Sequence, residues 1–153
     1  MAAHAWNIYP KAKHKIGNGT LALNHTHFRI SYVKSAFTTN TYSIWPQLVS
    51  AGIAVDGTDK YPVSGFDLGS GVWTGYGSAK SLTRKFDLTN PAVLTASATA
   101  ITSIYGAVIW VSAAASASRF LLAYASLTST PFDVGVGNTL TVTFASSGLF
   151  TLL

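Results

Sequence analysis

The sequence predicts an all-β protein: a single β-sandwich or jelly-roll-like domain over residues 20–153, preceded by an extended basic N-terminal arm over residues 1–19. Three observations predict it. Apolar and polar residues alternate in THFRISYV, SLTRKFDL and NTLTVTFA, the period-two pattern of strands with one buried face. Turn residues punctuate the chain between such runs, at Asn90-Pro91, Thr130-Pro131 and Ser146-Ser147-Gly148. No long amphipathic helical pattern and no repeat of fixed period is present, which leaves packed sheets as the way to bury the apolar residues.

The arm comes first. In MAAHAWNIYPKAKHKIGNG, Trp6 and Tyr9 are isolated aromatics, Pro10 is a helix breaker, and a basic run leads into glycines, so an extended conformation is expected. The segment lacks an apolar core of the signal-peptide kind and is not expected to act as a secretory leader. THFRISYV follows, with Phe28, Ile30 and Tyr32 facing one way and His27, Arg29 and Ser31 the other. SIWPQLVSAGIAV reads as one short helical turn after Pro46, stopped by Gly52. DGTDKYPVSGFDLGSGVWTGYGSAK is glycine-rich with spaced aromatics (Tyr61, Phe66, Trp73, Tyr76), and reads as long loops with short strands. SLTRKFDL is a strand, AVLTASATAITSIYGAVIWV one or two strands, and RFLLAYASL, NTLTVTFA and LFTLL complete the set.

The stretch GAVIWVSAAASASRFLLAYASL, residues 106–127, ends a span that holds no charged residue between Asp87 and Arg119. A membrane helix needs about 20 predominantly apolar residues. Here three serines interrupt the run, Arg119 follows, and Val108, Ile109, Trp110 and Val111 favour strands. Two strands joined by a small-residue loop are therefore expected, and no membrane span.

Charge is the most informative quantity. Asp, Glu, Lys and Arg make up 10% of the residues, against roughly a quarter in an ordinary soluble domain. There is no Glu, and the acids are Asp56, Asp59, Asp67, Asp87 and Asp133. A soluble monomer relies on a mixed-charge surface to keep apart from its neighbours, so this composition points to an assembly subunit whose surface is covered by other chains. The net charge of +5 resides in the first 34 residues, where Lys11, Lys13, Lys15, Arg29 and Lys34 precede any acid. All four histidines, His4, His14, His25 and His27, lie there too.

Catalysis finds no support. A serine triad needs a histidine and an orienting group, and no G-x-S-x-G occurs. The aspartates occupy turns (DGTDK) or strand ends (FDL), not the paired arrangement of a glycosidase. GVGNT and GSGVWTGYG lack the lysine and strand-to-helix context of a phosphate loop. With no cysteine, thiolate chemistry and disulfides are excluded. His25 and His27 are two apart and share a strand face, but no Glu or Cys exists to complete a metal site. No enzyme activity, metal or cofactor is expected. Asn18-Gly19-Thr20 and Asn24-His25-Thr26 match the glycosylation sequon, which carries meaning only on a secretory route.

The residues expected at an interface are Trp6, Tyr9, Lys11, Lys13 and Lys15 of the arm, and Trp110, Ala113, Ala114, Ala115 and Arg119 around the small-residue loop. Lysines at alternate positions beside aromatics also suit a nucleic-acid backbone, and clamping a protein neighbour is the favoured reading of the two.

The C-terminal third resembles the end of a group of small tailed-bacteriophage virion proteins. The residues that carry it are Tyr105, Ala107, Val108, Ile109 and Trp110 on the first strand, Leu121, Leu122 and Tyr124 on the second, Gly137 and Asn138 at a turn, and Leu140, Val142, Phe144, Gly148 and Leu149 to the end. The middle region agrees loosely, and residues before 20 do not match. The resemblance implies a compact β domain in a phage particle, with no catalytic residues to carry over. Within such a particle the expected role is a capsid decoration or cement protein on the capsid exterior, bound to the major capsid protein or other virion subunits and homo-oligomeric. A tail-tube, connector or adaptor subunit, or a carbohydrate-binding sandwich on a fibre using Trp73 and Tyr76, are the alternatives. Relatives often carry Asp or Lys in the loops that here read SAAASAS and ASLTST, and that departure marks these loops as contacts with neighbours.

Overall fold

The computed structural model describes residues 5–23, 26–38, 40–55, 64–78, 81–88, 92–144 and 149–152. Among them the chain runs β1 (Asn7–Ile8), α1 (Pro10–Gly17), β2 (His27–Val33), α2 (Trp45–Ser50), β3 (Phe66–Ser78), β4 (Ser81–Leu88) and β5 (Ala92–Thr95). It continues through β6 (Ile101–Ile104), β7 (Gly106–Val111), β8 (Leu121–Ser126), β9 (Phe132–Val134), β10 (Thr139–Val142) and β11 (Phe150–Leu152). Seven strands pair in the order β1-β8-β7-β2-β3-β4-β11, antiparallel throughout, while β5 pairs with β10 and β6 with β9. The protein is an all-β domain of curled antiparallel sheets. No helix among the described residues is long and apolar enough to cross a membrane.

GAVIWVSAAASASRFLLAYAS folds as the expected two strands and loop: β7 pairs antiparallel with β8, from Gly106 opposite Ser126 to Trp110 opposite Leu121. Every residue of β7 is buried, because β7 is a central strand covered on both faces. On one face Trp110 stacks on Trp45 of α2, with ring centroids 5.5 Å apart and planes 3° from parallel. On the other, Phe28 of β2 meets Phe86 of β4 edge-on, with centroids 5.8 Å apart. The helices therefore cover one face of the central strands and the curled-over β3–β4 hairpin covers the other. Each large side chain buried this way contributes about 1.5–3 kcal/mol, so these two layers carry much of the stability.

The alternation of β2 holds for Phe28, Ile30 and Tyr32, all fully buried. Ser31, expected on a wet face, is buried as well. Its hydroxyl accepts a 3.0 Å hydrogen bond from the Trp110 indole N–H, which satisfies both groups beneath α2.

Two expectations are corrected. The extended arm does not hold over residues 10–17, which form α1 with Pro10 at its start. Proline lacks an N–H, but the first-turn N–H groups of a helix have no intrahelical partner, so the residue that breaks a helix interior begins this one. Residues 7 and 8 pair with Tyr124 and Ala123, adding a short edge strand to the sheet. The glycine-rich middle region is no set of short strands from Phe66 onward but one strand of 13 residues; residues 56–63 lie outside the described part. The glycines serve close approach. The Phe86 ring lies over Gly71, where an added Cβ would overlap it, and this contact lets β3 bend from its partner β2 to its partner β4. The short helical turn holds as α2, ending before Gly52 at φ +67°. Gln47 Oε1 accepts from the Ser43 and Ile44 N–H groups at 2.9 and 3.3 Å, half of a capping box.

Candidate functional site

The basic helix and the small-residue loop, about a hundred residues apart in the chain, meet at Phe120. Lys11 and Lys15 are one helical turn apart and share a face of α1, next to the buried Ala12. Their ammonium groups lie 5.3 and 4.1 Å from the centre of the Phe120 ring, within cation–π range. Lys11 Nζ also donates to Ser43 Oγ at 3.3 Å. The arm thus clamps its own fold first.

The loop between β7 and β8 is held at both ends by backbone bonds. Ser112 N–H donates to His27 O at 2.8 Å, Val111 N–H to Phe120 O at 2.9 Å, and Trp45 N–H to Arg119 O at 2.9 Å. Arg119 closes it from within: Nε donates to Ala113 O at 2.9 Å and Nη2 reaches Ala114 O at 3.5 Å. Ala113 is half-buried, while Ala114 and Ala115 are exposed at the crest. The loop is pinned at both ends and from within, and its crest is uncharged and presented outward.

Beside the loop runs a two-part cleft. One part, about 390 Å³, lies between α2 and the loop and includes Trp45, Pro46, Ser64, Ser116 and Arg119 in its lining. The other, about 200 Å³, includes Arg29, Ser64, Trp110, Ser112 and Arg119. Ser64 and Arg119 border both, so the parts adjoin. Arg29 is fixed by Nε donating to Ser112 Oγ at 3.2 Å and Nη1 to Ser64 O and Gly65 O at 2.9 and 3.3 Å.

The other expected interface residues are spread out. Trp6 is half-buried against Phe144, with centroids 5.8 Å apart. Lys13 borders a separate cleft of about 500 Å³ with Asn7, Phe37 and Tyr124. Tyr9 and Trp110 are core residues, 1% and 2% exposed, and neither offers its ring to a partner. Tyr9 docks α1 through its N–H to Leu122 O at 3.0 Å. Its hydroxyl has no hydrogen-bond partner among the described residues, and burial, with the neighbouring Tyr124 adding to it, pushes its pKa far up. Burial also raises the Tyr124 hydroxyl, against the lowering effect of its bond to Ser126.

His25 lies outside the described residues; His27 is exposed, with Nδ1 3.9 Å from Asp67 Oδ1. No group of three metal-binding side chains occurs among the described residues. The side chains of Trp73 and Tyr76 lie outside the described part. Sequence reading missed Phe120, Trp45 and Arg29: Phe120 reads as one more apolar residue of the strand RFLLAYASL, and Arg29 as a solvated alternate position. Only the antiparallel register, which sets Arg29 beside Trp110, brings them to the loop.

No protein-family model, curated protein or solved structure matches the chain.

Proposed function

We propose that this chain is a structural subunit of a larger assembly, and that the assembly is a tailed-phage virion in which it acts as a capsid decoration or cement protein. The observation that carries the assembly reading is the scarcity of charge, 10% of residues with no Glu, together with the uncharged crest of the pinned loop at Ala114 and Ala115. A loop fixed at both ends loses little entropy when a neighbour covers it. The virion reading rests on the resemblance of residues 101–153 to small phage virion proteins. In this role the domain sits across the seam between major capsid subunits or against copies of itself. The crest and the Lys11–Phe120–Lys15 face supply the contacts. A modest interface repeated over many copies resists internal pressure, because each copy adds its binding free energy to the closed shell.

The test is the stoichiometry of this chain in purified particles. Copies comparable in number to the major capsid protein support decoration. A small fixed number per particle assigns it to a connector or tail layer, and absence from particles ends the virion reading.

A further inference from the structure

We propose that the two-part cleft beside the loop is a carboxylate-binding site, and that its occupant is an acidic side chain on a peptide segment of a partner protein, next to an apolar residue. It builds on the assembly reading only for the partner's identity; the chemistry stands on the cleft.

Two guanidinium groups border the smaller part, and neither forms an ion pair among the described residues: Asp67 stands across from Arg29 in the β2–β3 register, but its carboxylate contact within 4 Å is with His27. Both are held rigid by neutral acceptors: Ser112 Oγ and the Ser64 and Gly65 carbonyls for Arg29, the Ala113 and Ala114 carbonyls for Arg119. Those bonds leave Nη2 of Arg29 and Nη1 of Arg119 without a partner among the described residues. Arg119, held through Nε and Nη2, presents Nη1 and the second Nη2 N–H as a preset fork, the geometry that carboxylates take up in pairs of hydrogen bonds, and Arg29 adds the N–H groups of its Nη2. The hydroxyls of Ser64 and Ser116 border the cleft, and neither makes a hydrogen bond among the described residues.

The surroundings select the ligand. Trp110, buried beneath the smaller part with its indole N–H spent on Ser31, stacks on Trp45 at the larger part, so the floor between the two parts is aromatic. Low-dielectric walls strengthen the attraction between a bound anion and the two cations. The larger part adds Pro46 and Val49, the latter 39% exposed, a place for an apolar side chain beside the acid. A bare inorganic anion would use the arginines and leave this apolar part empty, whereas an acidic-apolar peptide fills both. Charge complementarity agrees: the chain has an excess of +5 and no Glu of its own.

The test uses the isotope-labelled full chain, titrated with a capped Gly-Glu-Leu-Gly peptide, its Gln counterpart, acetate and inorganic phosphate. The expected result is that the Glu peptide perturbs the Arg29 and Arg119 Nε–H signals, the Trp110 indole N–H and the backbone of residues 112–119. It should bind about tenfold more tightly than the Gln peptide, the value of one charge-assisted pair, and weaken as salt is raised. Arg119→Gln should lower affinity by about the same tenfold, with Arg119→Lys between the two because it keeps the charge and loses the fork. Mapping on the unaltered chain decides the question even where a variant folds poorly. Equal binding of the Glu and Gln peptides, perturbations centred elsewhere, or no binding at millimolar peptide overturns the proposal. Phosphate binding without peptide binding makes this a free-anion site and overturns the peptide assignment. Markedly tighter peptide binding by an Asp56→Asn, Asp59→Asn variant assigns the site to the chain's own acids and also overturns it. Absence of the chain from particles, with peptide binding intact, removes the virion reading and leaves the site standing.

Discussion

Tyr9 is where residue-scale physics makes a clean statement. Its ring anchors α1 against the sheet at 1% exposure, while its hydroxyl is buried without a partner among the described residues. An unmade hydrogen bond of this kind costs about 1–3 kcal/mol, so Tyr9→Phe, which keeps the ring, should leave stability unchanged or raise it. The pH dependence follows from the same burial. The hydroxyl's folded pKa is raised above the unfolded value of about 10, so folding favours the protonated form. That contribution is complete below pH 10 and is lost as pH rises toward the folded pKa, at about 1.4 kcal/mol per pH unit for each such group. Tyr124 acts in the same direction. Urea unfolding at pH 7 and at pH 11 checks both points: the wild type should lose stability between them, and Tyr9→Phe should lose distinctly less. Equal alkaline losses would contradict this account of Tyr9.

At the scale of elements, Gly71 decides how the sheet bends. The Phe86 ring occupies the space a Cβ would need, and the Leu23 carbonyl oxygen stands 3.1 Å from that position. Gly71→Ala should therefore destabilise by about 1–3 kcal/mol, the range for overpacking. Gly17→Ala, at the end of α1 with nothing within 4 Å, is the contrasting case. It should be neutral or stabilising by up to about 1 kcal/mol. Thermal denaturation of the two variants beside the wild type checks the pair. These positions also mark what was legible in the sequence. Alternation exposed β2, β4 and β10, because a strand with one buried face writes its period into the residues. The β7–β8 hairpin was legible from its β-branched residues and small-residue loop. α1 was not, because its buried stripe is only Ala12 with the half-buried Ile16, and Lys11, Lys13 and Lys15 alternate as they would on a strand. β3 was not, because glycines chosen for close approach to Phe86 look like loop glycines. Of the site, Arg119 and the alanines were found by their place in an uncharged run. Arg29, Trp45 and Phe120 join it only through long-range register, which local patterns do not record.

For the whole molecule, the question is what the uncharged crest of a pinned loop does in an assembly. Ala114 and Ala115 are exposed and pack against nothing that a change would disturb, so surface substitutions there should shift monomer stability by no more than about 0.5 kcal/mol. Covering the crest with a neighbour changes the expectation, since a charge buried without a partner at an interface costs far more than it does in water. Ala114→Asp and Ala114→Lys should thus both melt like the wild type, yet differ from it in occupancy of reconstituted particles. The sign of the charge carries further information. If a partner's carboxylate seats against Arg29 and Arg119 beside the crest, an added aspartate repels it and also offers the arginines a rival acceptor. An added lysine attracts it. Asp should then abolish incorporation while Lys retains a measurable part of it. Equal loss for both charges would mean that the crest packs on an apolar surface with no acid at the arginine cleft. Wild-type occupancy for both would mean that the loop stays in solvent when the assembly forms.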